Sequence, residues 1–195
     1  MRHSSRRISA GIPILPLLAA VVLAALLLST LTGCGKEQDL AQLSPDIRAV
    51  AENYGPAEAL AQAKERVEQE PTAEAYERLA QAYTLMRDLK EMVKALEKAL
   101  ELDPNCPRAV IGMAVVRMRQ DKPAEAQKLT ERLLDEDFSG PREAQVIRAR
   151  ALLAQDQRQQ AYDMLPTPIK QHPSYAPLHY ALGDSALSLA KLDEA

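Results

Sequence analysis

The chain has 195 residues, a formal net charge of −3, no Trp, one Phe and six Tyr. Its 47% hydrophobic content is dominated by Ala and Leu, which favours helix over sheet and packing through small side chains. Arg2, Arg6 and Arg7 all precede Cys34, so a chain trimmed before that cysteine is more acidic still, which argues against a nucleic-acid partner.

The first predicted element is a targeting segment. A basic start, MRHSSRR, leads into a stretch without charge from Ile8 to Gly35, and Ile12 to Leu31 is long and apolar enough to span a membrane. That stretch ends in Leu31-Thr32-Gly33-Cys34, which resembles the bacterial lipoprotein signal, the lipobox. The resemblance implies that residues 1–33 are a signal peptide and that Cys34 becomes the lipidated first residue, its thiol carrying a diacylglyceryl thioether. The alternative is an uncleaved membrane helix with an incidental cysteine. Two or three acyl chains hold a protein to a bilayer effectively permanently, at about 0.8 kcal/mol per buried methylene. Gly35 in place of Asp implies the outer membrane where there are two. The linker over 34–44 reaches about 35 Å when fully extended. The remainder of the chain is therefore expected to work near the lipid surface, in the cell envelope and facing the periplasm.

Residues 45–72 read as a degenerate helical hairpin, with Ser44 as N-cap, Pro45 at the first helical position and Pro71 lying 33 residues before Pro104. Beyond it the chain repeats. Small residues recur at Ala80, Ala114, Ala149 and Gly183, and a second series, Met92, Ala126, Ala161 and Ala195, keeps the same steps of 34, 35 and 34 residues. Tyr76, Leu79, Ala80 and Tyr83 lie at i, i+3, i+4 and i+7, one apolar face of a helix. Together with Leu96, Ala99 and Pro104 they resemble the tetratricopeptide repeat, a helix-turn-helix unit of about 34 residues. Units over 73–106, 107–141 and 142–175 and a partial one over 176–195 are expected. Arg117 replaces an expected Tyr, Phe138 an expected Pro, and Gln145 and Arg148 stand where bulky residues belong; Gly140 absorbs a one-residue insertion. The resemblance implies an all-α fold, a right-handed solenoid in which each unit buries its apolar face against its neighbours.

The fourth unit should supply a second helix after KLDEA. The sequence stops there, so it reads as truncated or fragmentary, or as capped by a partner or by self-association at this C-terminal end. Leu178, Leu182, Ala186 and Leu189 are expected to form an apolar face without a partner.

Chemistry-bearing residues are sparse. His172 and His179 lie seven apart with no recognised companions, so packing or solvent-facing roles are expected rather than a metal site, and no cofactor is implied. Cys106, in DPNCPRA, is expected to be a buried or idle thiol, with an intermolecular disulfide as the alternative. ERLLDED, from Glu131, lacks the Gly-bearing loop and alternating ligands of a calcium site.

A surface remains. In tetratricopeptide repeats the first helices line the concave side, which here implies a row Glu77, Ile111, Val146 and Tyr180, a second Gln81, Val115, Arg150 and Asp184, and a third Thr84, Met118, Leu153 and Leu187. From the second unit on the rows are largely apolar, with Arg150 isolated, and imply a groove for a protein or peptide segment. The alternative is that Ile111, Val115 and Met118 pack against adjoining helices. The expectation is a non-enzymatic, membrane-anchored scaffold or assembly factor; the rivals are the non-catalytic part of an envelope enzyme and a module binding wall fragments.

Overall fold

The computed structural model describes residues 43–135 and 140–193. All regular structure among them is helical: α1 (Pro45–Tyr54), α2 (Pro56–Gln69), α3 (Ala73–Leu85), α4 (Leu89–Leu102), α5 (Pro107–Arg119), α6 (Pro123–Thr130), α7 (Arg142–Ala154), α8 (Arg158–Met164), α9 (Pro166–Gln171) and α10 (Ala176–Asp193). Cys34 and the rest of the expected signal and linker up to residue 42 lie outside the described residues, as does Phe138.

The helix starts have local chemical causes. Pro stands in the first turn of α1, α2, α5 and α6, where a missing N–H costs nothing. Thr72 Oγ1 accepts from the Ala75 N–H at the start of α3, and the Asp88 carboxylate from the Glu91 N–H at the start of α4. Helix α8 stops at Met164 because Pro166 and Pro168 come next, so the third unit's second helix is split into α8 and α9. Sequence periodicity alone runs through that break.

The three hairpins α3–α4, α5–α6 and α7–α8 close in one way. Arg87, Asp121 and Asp156 each take a left-handed backbone, with φ of 58°, 58° and 62°. In each turn this residue's N–H donates to a carbonyl three residues back: Thr84, Met118 and Leu153. The next N–H then reaches five back, to Tyr83, Arg117 and Leu152. The positions keep the spacing of the small-residue series, so the repeat exists in backbone conformation as well as in side chains. Helices α1 and α2 are joined instead by Gly55 alone, at φ +92°.

Packing explains the small residues. Ala80, Ala114 and Ala149 are buried at the first-helix positions, as are Ala126 and Ala161 on the second helices, whereas Met92 is partly exposed. Their size lets neighbouring helices approach closely. One apolar cluster joins Ile111, Ala114 and Met118 of α5 with Ala126 and Leu129 of α6 and Ile147 and Ala151 of α7. The next joins Val146, Ala149 and Leu152 of α7 with Ala161 and Met164 of α8, Leu165 at the α8–α9 break, and Leu178 and Ala181 of α10. Helices α5 and α7 are thus each covered by the next first helix.

Departures from the repeat pattern have polar partners. Arg117 Nε pairs with Glu125 at 3.0 Å, closing α5 on α6. Arg148 Nη1 pairs with Glu131 at 3.1 Å, tying α7 to the end of α6. Gln145 is fully buried and its Nε2 donates to Gln171 Oε1 at 3.3 Å, joining α7 to α9. Gly140 has φ +149°, and a Cβ there would collide with the Leu133 carbonyl oxygen, so only glycine fits.

Candidate functional site

The twelve positions of the three expected rows separate by burial. Ile111 and Met118 are partly buried against α7, and Leu153 against the α7–α10 cluster. Val146 is only 6% exposed and belongs to the core, because Leu178 and Ala181 of α10 share its cluster. In the first and third rows, then, residues of α5 and α7 mainly serve helix packing.

The middle row stays open. Val115 is 38% exposed, and Arg150 and Asp184 are exposed at the equivalent positions of the next two first helices. On α10 the other two rows open as well. Tyr180 and Leu187, 71% and 64% exposed, are the counterparts of covered Val146 and Leu153. Gly183 between them is also exposed, with nothing within 4 Å of where a Cβ would stand.

The expected bare face of α10 is corrected in part. Leu178 is fully buried and Leu182 is packed on the same cluster, since both point back to α7 and α8; Ala186 is exposed and Leu189 partly so. Arg142, at the start of α7, lies 4.5 Å from the ring centre of Tyr175 and steadies the entry to α10 through a cation–π contact.

At the head of the rows, Glu77 and Gln81 turn out to serve α1. The Ser44 N–H and hydroxyl reach Gln81 Oε1 at 2.7 and 2.9 Å, and Gln81 Nε2 donates in turn to Glu77. Ser44, at the N-cap position of α1, makes no side-chain cap of its own helix. Burial pushes the Glu77 carboxyl above its ordinary value, against the pull of Gln81, Arg108 and Arg78. Asp46 pairs with Arg78 at 2.7 Å and Arg66 at 3.7 Å. Burial raises its carboxyl, but the Ser44 hydroxyl, Arg78 and backbone N–H groups together hold it below the usual range. Sequence reasoning missed this cluster because its partners lie up to 37 residues apart.

The remaining candidates are placed simply. Cys106 is buried at the N-cap position of α5, and burial pushes its thiol upward despite the backbone bond from Ala109. A protonated, covered thiol is a poor nucleophile. His172 closes α9, and the exposed His179 has its Nε2 2.8 Å from the Pro173 carbonyl oxygen. Among the described residues no group of three His, Cys, Asp or Glu is placed to hold a metal ion, and no helix is long and apolar enough to cross a membrane.

Comparison with known proteins agrees with this geometry. Residues 73–106 match the family described as Tetratricopeptide repeat. No curated protein sequence matches. Among solved structures the fold is similar to that of MamA, residues 41 to the end, from Desulfovibrio magneticus RS-1. The TM-score is 0.59 at 18% identity, covering 76% of this chain and 89% of that one. At that identity the likeness bears on architecture: the chain has an all-helical, tetratricopeptide-like fold built around one repeat that the family itself matches.

Proposed function

We propose that the chain is a lipid-anchored helical-repeat scaffold that holds a protein partner beside a bacterial envelope membrane, as an interaction or assembly factor. The observation that carries the binding half is the open middle row, in which Val115, Arg150 and Asp184 recur one per first helix. An amphipathic peptide segment laid across such helices contacts one side chain per unit. The repeat match over 73–106 supports a protein rather than a small-molecule ligand.

The anchoring half rests on Leu31-Thr32-Gly33-Cys34 and its resemblance to the lipobox. Lipid on Cys34 puts the repeats on the far side of the inner membrane, facing the periplasm, with the outer membrane favoured where one exists.

Each half has its own test. Val115→Glu adds charge at an exposed site, so helical content is expected to stay constant while partner co-purification falls at least about tenfold; unchanged capture refutes the row as the contact. Cys34→Ala is expected to leave the precursor uncleaved and abolish metabolic labelling with palmitate. Labelling that persists in that variant refutes the anchor.

A further inference from the structure

Basic charge is concentrated on the two central first helices. Helix α5 carries Arg108, Arg117 and Arg119 and no acid, and α7 carries Arg142, Arg148 and Arg150 against Glu143 alone. Over the whole chain 24 basic residues stand against 27 acidic ones, so this local bias runs counter to the net charge of −3.

Most of these arginines are committed within the fold. Arg117 pairs with Glu125, Arg148 with Glu131, and Arg142 with Glu143 and the Tyr175 ring. Arg108 faces the buried Glu77. Arg119 and Arg150 differ: both are exposed, and among the described residues the guanidinium of neither is in an ion pair. They flank Val115. Val115 and Arg119 lie at i and i+4, one turn apart on the same stripe of α5. Arg150 is the α7 counterpart of Val115, next to Ala151 and one turn after Ile147, and those two pack against α5. One exposed apolar side chain therefore stands between two exposed cations along the α5–α7 seam.

A guanidinium keeps its charge throughout the pH range of a folded protein and takes a carboxylate through two parallel N–H···O bonds. Resting on the reading of the middle row as the contact, we propose that the partner's segment is acidic as well as amphipathic, laying an apolar side chain on Val115 and carboxylates on Arg119 and Arg150. The sign reverses at Asp184 on α10, so the acidic stretch is the part that crosses α5 and α7, and a basic residue suits the part beyond. The same two arginines repel a segment that is basic where it crosses α5 and α7, which makes the row selective as well as attractive.

Binding of synthetic peptides to the full chain tests it, using one fluorescent sequence with Leu at its apolar positions and Glu, Gln or Lys at all the others. The Glu form is expected to bind at least about fivefold more tightly than the Gln form and at least about tenfold more tightly than the Lys form. Non-specific attraction to an acidic chain gives the opposite order. Arg119→Glu and Arg150→Glu combined are expected to reverse the preference with helical content unchanged, since both sites are exposed. A Glu form bound no more tightly than the other two, or an order that survives the double reversal, overturns the acidic partner. Val115→Ser separates that failure from failure of the row. If it weakens whichever form binds, the row remains the contact and only the charge of its partner is wrong; if it and the double variant leave every form unchanged, the row fails as well.

Discussion

Arg87→Gly tests whether the three left-handed turns are closed at a cost in backbone strain. Arg87 sits at φ 58°, where an L side chain other than Asn or Asp pays about 1–2 kcal/mol. Glycine removes that cost but loses about 0.5–1 kcal/mol more in conformational entropy on folding. The difference leaves Arg87→Gly more stable by about 0.5–1 kcal/mol, since the turn's hydrogen bonds, Arg87 N–H to Thr84 and Asp88 N–H to Tyr83, use only backbone atoms and survive. For a unit of this size that is a rise of about 1–4 °C in Tm. Thermal unfolding monitored by far-UV circular dichroism measures it. Arg87→Ala is the control, because alanine keeps the steric penalty and gains nothing. Asp121→Gly and Asp156→Gly are expected near zero, as an aspartate tolerates this conformation by bonding locally. A glycine at 87 no better than the alanine, or a gain at 121 as large as that at 87, refutes the reasoning.

Burial supplies two more expectations. Ala114→Trp overpacks a closed helix crossing and is expected to cost about 1–3 kcal/mol in urea unfolding, whereas Gly183→Trp at the equivalent position meets open space and is expected to change stability by less than about 1 kcal/mol; equal costs at both sites refute the cover assignment. Glu77 binds its proton more tightly folded than unfolded, so it makes stability rise as pH falls from its raised folded value toward its ordinary one, and Glu77→Gln is expected to remove that rise in urea melts across the acid range. Asp46 acts oppositely: its depressed carboxyl contributes stability at neutral pH that is lost as pH falls through its folded value.

Periodic apolar positions are legible in the sequence because they answer to one local rule. Ala80, Ala114 and Ala149 are buried as their spacing requires, and Pro107 and Pro123 stand in the first turns of α5 and α6. The break at Leu165 is signalled by Pro166 and Pro168, yet the repeat spacing runs through it. Polar long-range partners are not legible. Arg148 reads as a defect in the repeat and is in fact the partner of Glu131, while Glu77 and Gln81 read as groove residues and are held by Ser44. A helical wheel reports which face a residue is on, not which distant chain segment returns to that face.

That limit also explains why the expected groove is narrower in the structure. In a stack of hairpins each first helix lays its own face over the preceding one, and Ile147 and Ala151 of α7 do this to Ile111 and Met118 of α5. Leu178 and Ala181 of α10 do the same to Val146 of α7. Two of the three rows on α5 and α7 are therefore consumed by the stack, and the middle one, at Val115, Arg150 and Asp184, is left to a partner. A row of one side chain per helix, carrying an apolar, a basic and an acidic residue in turn, offers a partner more charge than apolar area. Arg150 and Asp184 then set a partner's register through charge, and Val115 supplies the apolar contact of the row. Arg150→Glu is then expected to weaken partner capture more than Val115→Ala does, and capture unchanged in Arg150→Glu would remove the middle row as the contact.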